Sequence, residues 1–225
     1  MSKPKTKPRR LQRKAGRPSG EDRDLRAHLL DFAIARFARD GIGATSLRAI
    51  AADAGVTPAM LHYYFGDKAQ LKKALLEERL QPAMASVREY LAAVGDDPAE
   101  LVTGFVQGMG DVVERHPWLP SLWVREVLCE GGELRELLFN PLIPSLPQML
   151  AQRFVAAQAS GCLNPALDPR LLVVSMVGLT LFPAAGAPIW RRLFRADDLG
   201  AQAMIAHTLA LLKDGVGVRD SGRSP

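Results

Sequence analysis

The sequence predicts an all-α protein, with a small N-terminal unit of three helices joined to a larger helical C-terminal part. Three observations predict it. Apolar residues recur three and four positions apart in most segments between turn signals, which is the spacing of one helix face. No segment alternates apolar and polar residues as a half-buried strand does, and no internal repeat is present. The composition agrees, since 48% hydrophobic residues with only 6% aromatic, and abundant Ala and Leu, suit packed helices.

The chain is long enough, at 225 residues, for one large or two modest domains with real cores. Cys129 and Cys162 stand at no metal-ligand spacing and form no disulfide scaffold, so a reducing, cytoplasmic location is expected. The basic N-terminus is followed by no apolar segment of the signal-peptide kind. The longest apolar run, Leu171 to Phe182, falls short of the about 20 residues that cross a bilayer. No membrane partner is expected.

Charge is distributed unevenly. Residues 1–17 hold eight cations (Lys3, Lys5, Lys7, Arg9, Arg10, Arg13, Lys14 and Arg17) and no acid. The chain as a whole carries 29 Lys and Arg against 24 Asp and Glu, so the part beyond this arm is mildly acidic. A basic block of this kind reads as a disordered, nucleic-acid-binding tail.

The elements follow in order. Pro4, Pro8, Gly16, Pro18 and Gly20 keep the arm extended to Ser19, where Ser19 with Asp22 marks a helix start. Leu25, Leu29, Phe32, Ala33 and Phe37 then recur at helical spacing, and Asp40-Gly41 closes the helix. Thr45 or Ser46 caps a second helix with Leu47, Ile50, Ala51 and Ala54 inward, and Gly55 breaks it. Thr57 caps a third helix, with Pro58 in the first turn where its missing N–H costs nothing. Gly66-Asp67 ends that helix and starts a fourth, near residues 68–91. Beyond Gly95-Asp96-Asp97-Pro98, helices are expected at about 98–115, 118–130, 133–160, 168–184 and 198–213. The third of these falls into two pieces, because Pro141, Pro144 and Pro147 do not all fit a regular helix, and Pro183–Pro188 reads as a break. The expected organisation is an arm at 1–19, a small helical domain at 20–82, a larger helical domain at 83–214, and a frayed tail at 215–225.

Thr45 to Leu71 has the layout of a helix-turn-helix, in which the second helix lies in the major groove while the first crosses the backbone. Ala49, Ala51, Ala52 and Ala54 allow the two helices to approach closely. Thr57, Pro58, Ala59, Met60, His62 and Tyr63 are expected on the outer face of the reading helix. Thr57, His62 and Tyr63 can hydrogen-bond to bases or phosphates, while Pro58, Ala59 and Met60 can touch thymine methyls. Thr45, Ser46, Tyr63, Tyr64 and Lys68 are expected to clamp phosphates. Phe65 is expected in the core. Gly16-Arg17-Pro18 matches the core of arginine segments that enter the narrow minor groove of A·T-rich DNA, which makes Arg17 a candidate contact.

An opening helix, the run Thr45, Ser46, Ile50, Ala51, Ala54, Gly55, Val56, Thr57, Leu61, and the ending Phe65, Lys68, Leu71 resemble the N-terminal domain of the TetR family over about residues 22–82. The aromatic block departs in order, with His62, Tyr63 and Tyr64 where the family commonly has Tyr, an aromatic and then His. The resemblance implies an all-α fold with a small DNA-binding domain and a larger ligand-binding and dimerisation domain. It also implies a dimer, for which the helices near 168–184 and 198–213 are the expected partners; the first of them is apolar nearly all round. Two-fold pairing calls for double-stranded DNA carrying a palindromic operator, with the reading helices about 34–36 Å apart.

In the C-terminal part, Phe105, Met109, Trp123, Glu126 and Met176 are the candidate ligand-binding residues, with His116 and Arg125 as further polar neighbours. Gly104, Gly108 and Gly110 suggest loose packing suited to a cavity for a small, largely apolar effector. The expected function is a dimeric repressor released from its operator by such a molecule. The alternative is a DNA-binding protein without sensing, whose C-terminal domain serves dimerisation or a protein partner. Catalysis is not expected: no nucleophile–base spacing stands out, the histidines are scattered, and the glycines at 104–110 follow no strand. No cofactor and no metal are expected.

Overall fold

A computed structural model describes residues 20–136 and 145–216 of the chain. Arg17 and the rest of the arm, the helix start expected at Ser19, Pro141 and Pro144, and residues 217–225 of the expected tail lie outside the described residues.

The described residues form helices throughout, and these bury two apolar clusters. Helix α1 (Gly20–Asp40) sends Leu29, Ala33 and Phe37 into the N-terminal cluster, with Leu25 and Phe32 packed at its edge. Gly41 ends the helix at φ 90°, a conformation that favours glycine. Helix α2 (Leu47–Asp53) starts at Ser46, whose Oγ accepts the Ala49 N–H, and it buries Ile50 and Ala51. Helix α3 (Pro58–Phe65) buries Leu61 and Phe65, and α4 (Lys68–Leu75) is capped by Asp67.

The fourth helix expected near 68–91 is longer and not uniform. It runs as α4, a π-turn at Leu76–Leu80, and α5 (Gln81–Ala93). Pro82 explains the interruption. It has no N–H for the Glu78 carbonyl, and its ring would collide with that carbonyl in a regular helix. The turn opens instead, the Gln81 N–H bonds to the Leu76 carbonyl, and the Arg79 guanidinium donates to the Glu78 carbonyl at 3.1 Å.

Helix α6 (Pro98–Arg115) lies along α5. The glycines at 104 and 108 do not leave a void there. A Cβ at Gly104 would stand 3.3 Å from Val94, and one at Gly108 would stand 3.1 Å from the Tyr90 ring; Ile205 fills the space at Gly110. These residues let helices approach closely, which corrects the expectation of loose packing.

Helix α7 (Leu119–Trp123) continues into a second π-turn at Val124–Leu128. Leu122, Val127 and Leu134, from this later segment, pack into the N-terminal cluster. Leu80, Trp118 and Trp123 touch both clusters. The helix expected over 133–160 is confined, among the described residues, to α8 (Ser145–Ala159).

Helix α9 (Pro169–Ala185) passes through Pro183 rather than breaking at it. The Leu179 carbonyl, left without its helical donor, accepts the hydroxyl of buried Thr208 at 3.2 Å, and the Trp190 Nε1–H donates to the Pro183 carbonyl. A short helix not expected from the sequence, α10 (Ala187–Phe194), follows with Pro188 in its first turn, and α11 (Ala201–Val216) packs on α6 and α9. No single described helix is long and apolar enough to cross a membrane; α9 and α10 pass that test only as a pair, and they bend by 67°.

Candidate nucleic-acid interface

The reading unit is α2, the turn at Ala54–Thr57, and α3. Gly55 at φ 67° lets the chain reverse, and the Val56 N–H returns to the Ala51 carbonyl at 2.9 Å. Arg36 of α1 holds the far end of α2 by pairing with Asp53 at 2.7 Å and with Asp40 at 3.2 Å. Hydrogen bonding to Arg39 is the main reason that the Asp40 carboxyl sits below its ordinary pKa.

The structure places most of the expected outer residues together. Thr57, Pro58, Ala59, His62 and Tyr63 are exposed along one side of α3, and Met60 is half-buried. Tyr63 is 81% exposed and meets half-buried Tyr64 edge-on, with ring centres 5.1 Å apart. His62 Nδ1 lies 2.6 Å from the Gly66 carbonyl. Because a carbonyl only accepts, Nδ1 carries the proton, and Nε2 of the neutral ring is left as an acceptor.

Three expected phosphate clamps stand differently. Thr45 is only 3% exposed, and its hydroxyl donates to the Gly41 carbonyl at 2.6 Å, so it staples the α1–α2 loop instead of presenting a hydroxyl. Ser46 is exposed, but its Oγ is engaged as the α2 cap. Half-buried Lys68 donates to the Gly43 carbonyl at 3.0 Å, which fastens α4 to the same loop. Arg48, which sequence reasoning missed, is exposed on α2 two residues beyond Ser46 and forms no ion pair among the described residues. Its only sequence signal was a lone cation among the small residues of the bracing helix.

The ligand-binding candidates are not brought together around a cavity. Phe105, Met109 and Met176 are buried in the C-terminal cluster, and Trp123 lies at its border with the N-terminal one. Glu126 is turned toward the reading unit, where its carboxylate accepts the Ile42 N–H at 2.8 Å. The space between α6, α9 and α11 is about 20 Å³, and an open surface groove of about 630 Å³ beside Asp96, Met149, Arg153 and Cys162 touches none of the five. Burial and the neighbouring Arg115 and Arg79 hold the His116 pKa below its ordinary value, in that order of importance. His116 stacks at a tilt on Trp118, at the border of the two clusters.

The same segment carries the likeness to known proteins. Residues 29–75, from the middle of α1 to the end of α4, match the family described as bacterial regulatory proteins, tetR family. Over 152 residues the chain is 32% identical to the HTH-type transcriptional regulatory protein RaaS of Mycobacterium tuberculosis, covering 65% of this chain and 64% of that one. Over 100 residues it is 30% identical to the HTH-type transcriptional repressor KstR2 of the same organism, covering 44% of this chain and 50% of that one. The reading unit belongs to the TetR family.

The TetR fold extends beyond the matched segment. The solved structure of KstR2 from M. tuberculosis, described as a ketosteroid transcriptional regulator, superposes with a TM-score of 0.68 at 22% identity, over 89% of this chain and 99% of that one. The sequence alignments span less than two thirds of either relative's own length. The match to bacterial regulatory proteins assigns the reading unit a DNA-binding, regulatory role.

Proposed function

We propose that this TetR-family protein is a homodimeric repressor that holds a palindromic operator and is released from it by a small, largely apolar molecule. The observation that carries the DNA-reading part is the open face of α3, where His62 and Tyr63 stand exposed above a core built from Leu61 and Phe65. Few of these groups read bases bidentately, so affinity comes mainly from phosphate contacts by Tyr63 and Arg48, from helix N-termini, and from the basic arm with Arg17. Thr57, Pro58, Ala59 and Met60 add contacts to base edges and thymine methyls.

The dimer is supported by an unpartnered face. Leu171, Val174 and Phe182 share one side of α9 and are 64%, 64% and 73% exposed, and Leu211 is exposed on α11. Apolar surface of this extent is favourably covered by a second copy. Repression is supported by the likeness to the repressor KstR2, and an apolar effector by that protein's description as a ketosteroid regulator. Since Phe105, Met109 and Met176 stand in a closed cluster, the effector enters by separating α6 from α9 and α11. The small cavity favours a second reading, in which the C-terminal domain only dimerises.

The test is selection of bound duplexes from a random-sequence library by the full-length protein, followed by thermal shift and release measurements on a panel of apolar molecules including steroids. A palindromic consensus, together with a compound that both raises the melting temperature and frees the duplex, supports the proposal. Selection of no sequence overturns the operator reading, and selection without any stabilising compound leaves the dimerisation-only reading standing.

A further inference from the structure

We infer that Glu126 is a positioning residue for DNA binding: its carboxylate locks a strut from the C-terminal part onto the reading unit and thereby sets the angle at which α3 is presented. This rests on the dimeric operator reading proposed above.

The strut is the segment 119–134. At one end Leu119 is buried in the C-terminal cluster, and at the other Leu122, Val127 and Leu134 are buried in the N-terminal one. It is a second connection between the two clusters, beside the continuous helix α4–α5. One helix alone leaves bending and twisting free, whereas a second attachment triangulates the unit.

Glu126 makes that attachment. It is 4% exposed, one oxygen accepts the Ile42 N–H at 2.8 Å, and the other accepts the Glu133 N–H at 3.0 Å. Ile42 lies in the α1–α2 loop, the same loop that Thr45 staples and that leads directly into the Ser46 cap. Glu133 in turn pairs with Lys72 of α4, and Lys68 lies 3.9 Å from its carboxylate while donating to Gly43. A polar chain therefore runs from the strut to the loop before α2 and to the face of α4.

The local backbone is built to hold this carboxylate. Gly131 takes φ 78°, and a Cβ on Gly132 would collide with the Glu126 carbonyl, so only glycine lets the chain fold back there. The Leu134 N–H bonds to that carbonyl at 3.0 Å. Arg135 then caps the carbonyls of Val127, Leu128 and Cys129, which closes the end of the π-turn. A buried carboxylate needs such donors, and two backbone N–H groups need two acceptors. A glutamine supplies one acceptor and turns an NH2 toward the other N–H, so Glu126→Gln opens one arm of the lock with little change in volume.

The experiment compares full-length wild type, Glu126→Gln and Lys72→Met on duplexes selected by the wild type. Each is measured on a single half-site and on a series of full sites with varied half-site spacing. Lys72 is only partly buried, so its variant provides the check should Glu126→Gln fail to fold. The expected result is a loss of about tenfold on the best full site, a broadened spacing preference, and unchanged half-site affinity. Backbone amide exchange at Ile42 rises in Glu126→Gln at the same time. Undiminished full-site affinity with the wild-type spacing optimum would overturn the inference. Equal loss on the half-site would overturn it too, because the carboxylate would then merely hold the reading unit together. A wild type indifferent to spacing would instead remove the dimeric arrangement itself, and the inference with it.

Discussion

The guanidinium of Arg26 lies 4.8 Å from the centre of the Phe65 ring, and the same group pairs with Glu78. One side chain of α1 thus touches the end of α3 and the π-turn that follows α4. The cation–ring contact is worth about 0.5–1 kcal/mol at a partly exposed site, and the ion pair, a third exposed, adds about 0–1 kcal/mol. Arg26→Ala is expected to lower the melting temperature by about 2–4 °C, with Arg26→Lys in between. An unchanged melting curve for the alanine variant would show that neither interaction contributes.

Thr208 and Pro183 form a linked pair. The proline leaves the Leu179 carbonyl without its helical donor, and the threonine hydroxyl supplies the replacement. Thr208→Val is expected to destabilise by about 1–3 kcal/mol, the cost of a buried carbonyl left unpaired. In a Pro183→Ala background the backbone N–H is restored, so the same valine substitution is expected to cost much less. Additive effects in urea denaturation would disprove the link.

His116 makes stability depend on pH. Burial and the nearby Arg115 and Arg79 depress its folded-state pKa below the ordinary 6.5. Well above that value the ring is neutral in both states, and its full contribution is present. As pH falls through the ordinary value, the unfolded chain takes up the proton first, and stability declines until the folded protein is protonated as well. Denaturation midpoints between about pH 7.5 and pH 5 are expected to fall for wild type and to fall less for His116→Gln. Parallel curves for the two proteins would rule the histidine out as the source.

Tyr63 is the exposed large hydrophobic side chain of the reading helix. Tyr63→Phe keeps the ring beside Tyr64 and removes only the hydroxyl. A hydrogen bond to a charged phosphate is worth about 1.5–3 kcal/mol, so operator affinity is expected to drop by about tenfold or more with the melting temperature unchanged. Wild-type affinity in electrophoretic mobility shifts would show that the hydroxyl meets no phosphate.

The arm at 1–17 carries eight cations, while the rest of the chain is mildly acidic. Its deletion is expected to weaken binding to every duplex and to flatten the dependence of log K on log salt by about 0.9 for each phosphate that the arm neutralises. An unaltered slope would assign the electrostatic attraction to the folded part.

What the sequence made legible was local. Gly55 and Pro58 act on their own backbone, so the turn and the start of α3 could be read from neighbouring residues alone. Thr57 holds the cap position, but its hydroxyl makes no capping bond, which corrects that expectation. Thr45 was harder, because its hydroxyl turns inward to Gly41 only once α1 and α2 are packed. Pro183 was misread as a break because its compensation lies 25 residues later, on another helix. Helix α10 begins at the end of the same proline-marked interval and fills most of the gap before the helix expected from residue 198. Glu126 was read as a pocket residue for a similar reason: its partner Ile42 is 84 positions away, and no pattern along the chain joins them. The glycines at 104 and 108 were legible as small but not as filled, since Val94 and Tyr90 occupy the space from a different helix.

The π-turn at Leu76–Leu80 has a consequence for anyone recombining this protein. Each residue added to or removed from a helix rotates everything beyond it by about 100°. Leu71 and Leu75 before the turn face one cluster, while Ala83, Val87 and Leu91 after it face the other. Removing one residue to restore uniform α geometry would swing those later side chains out of their seats. The turn therefore works as an indexing joint, and a foreign DNA-reading head grafted upstream of it must keep the residue count through Pro82 to be mounted at the right clock angle.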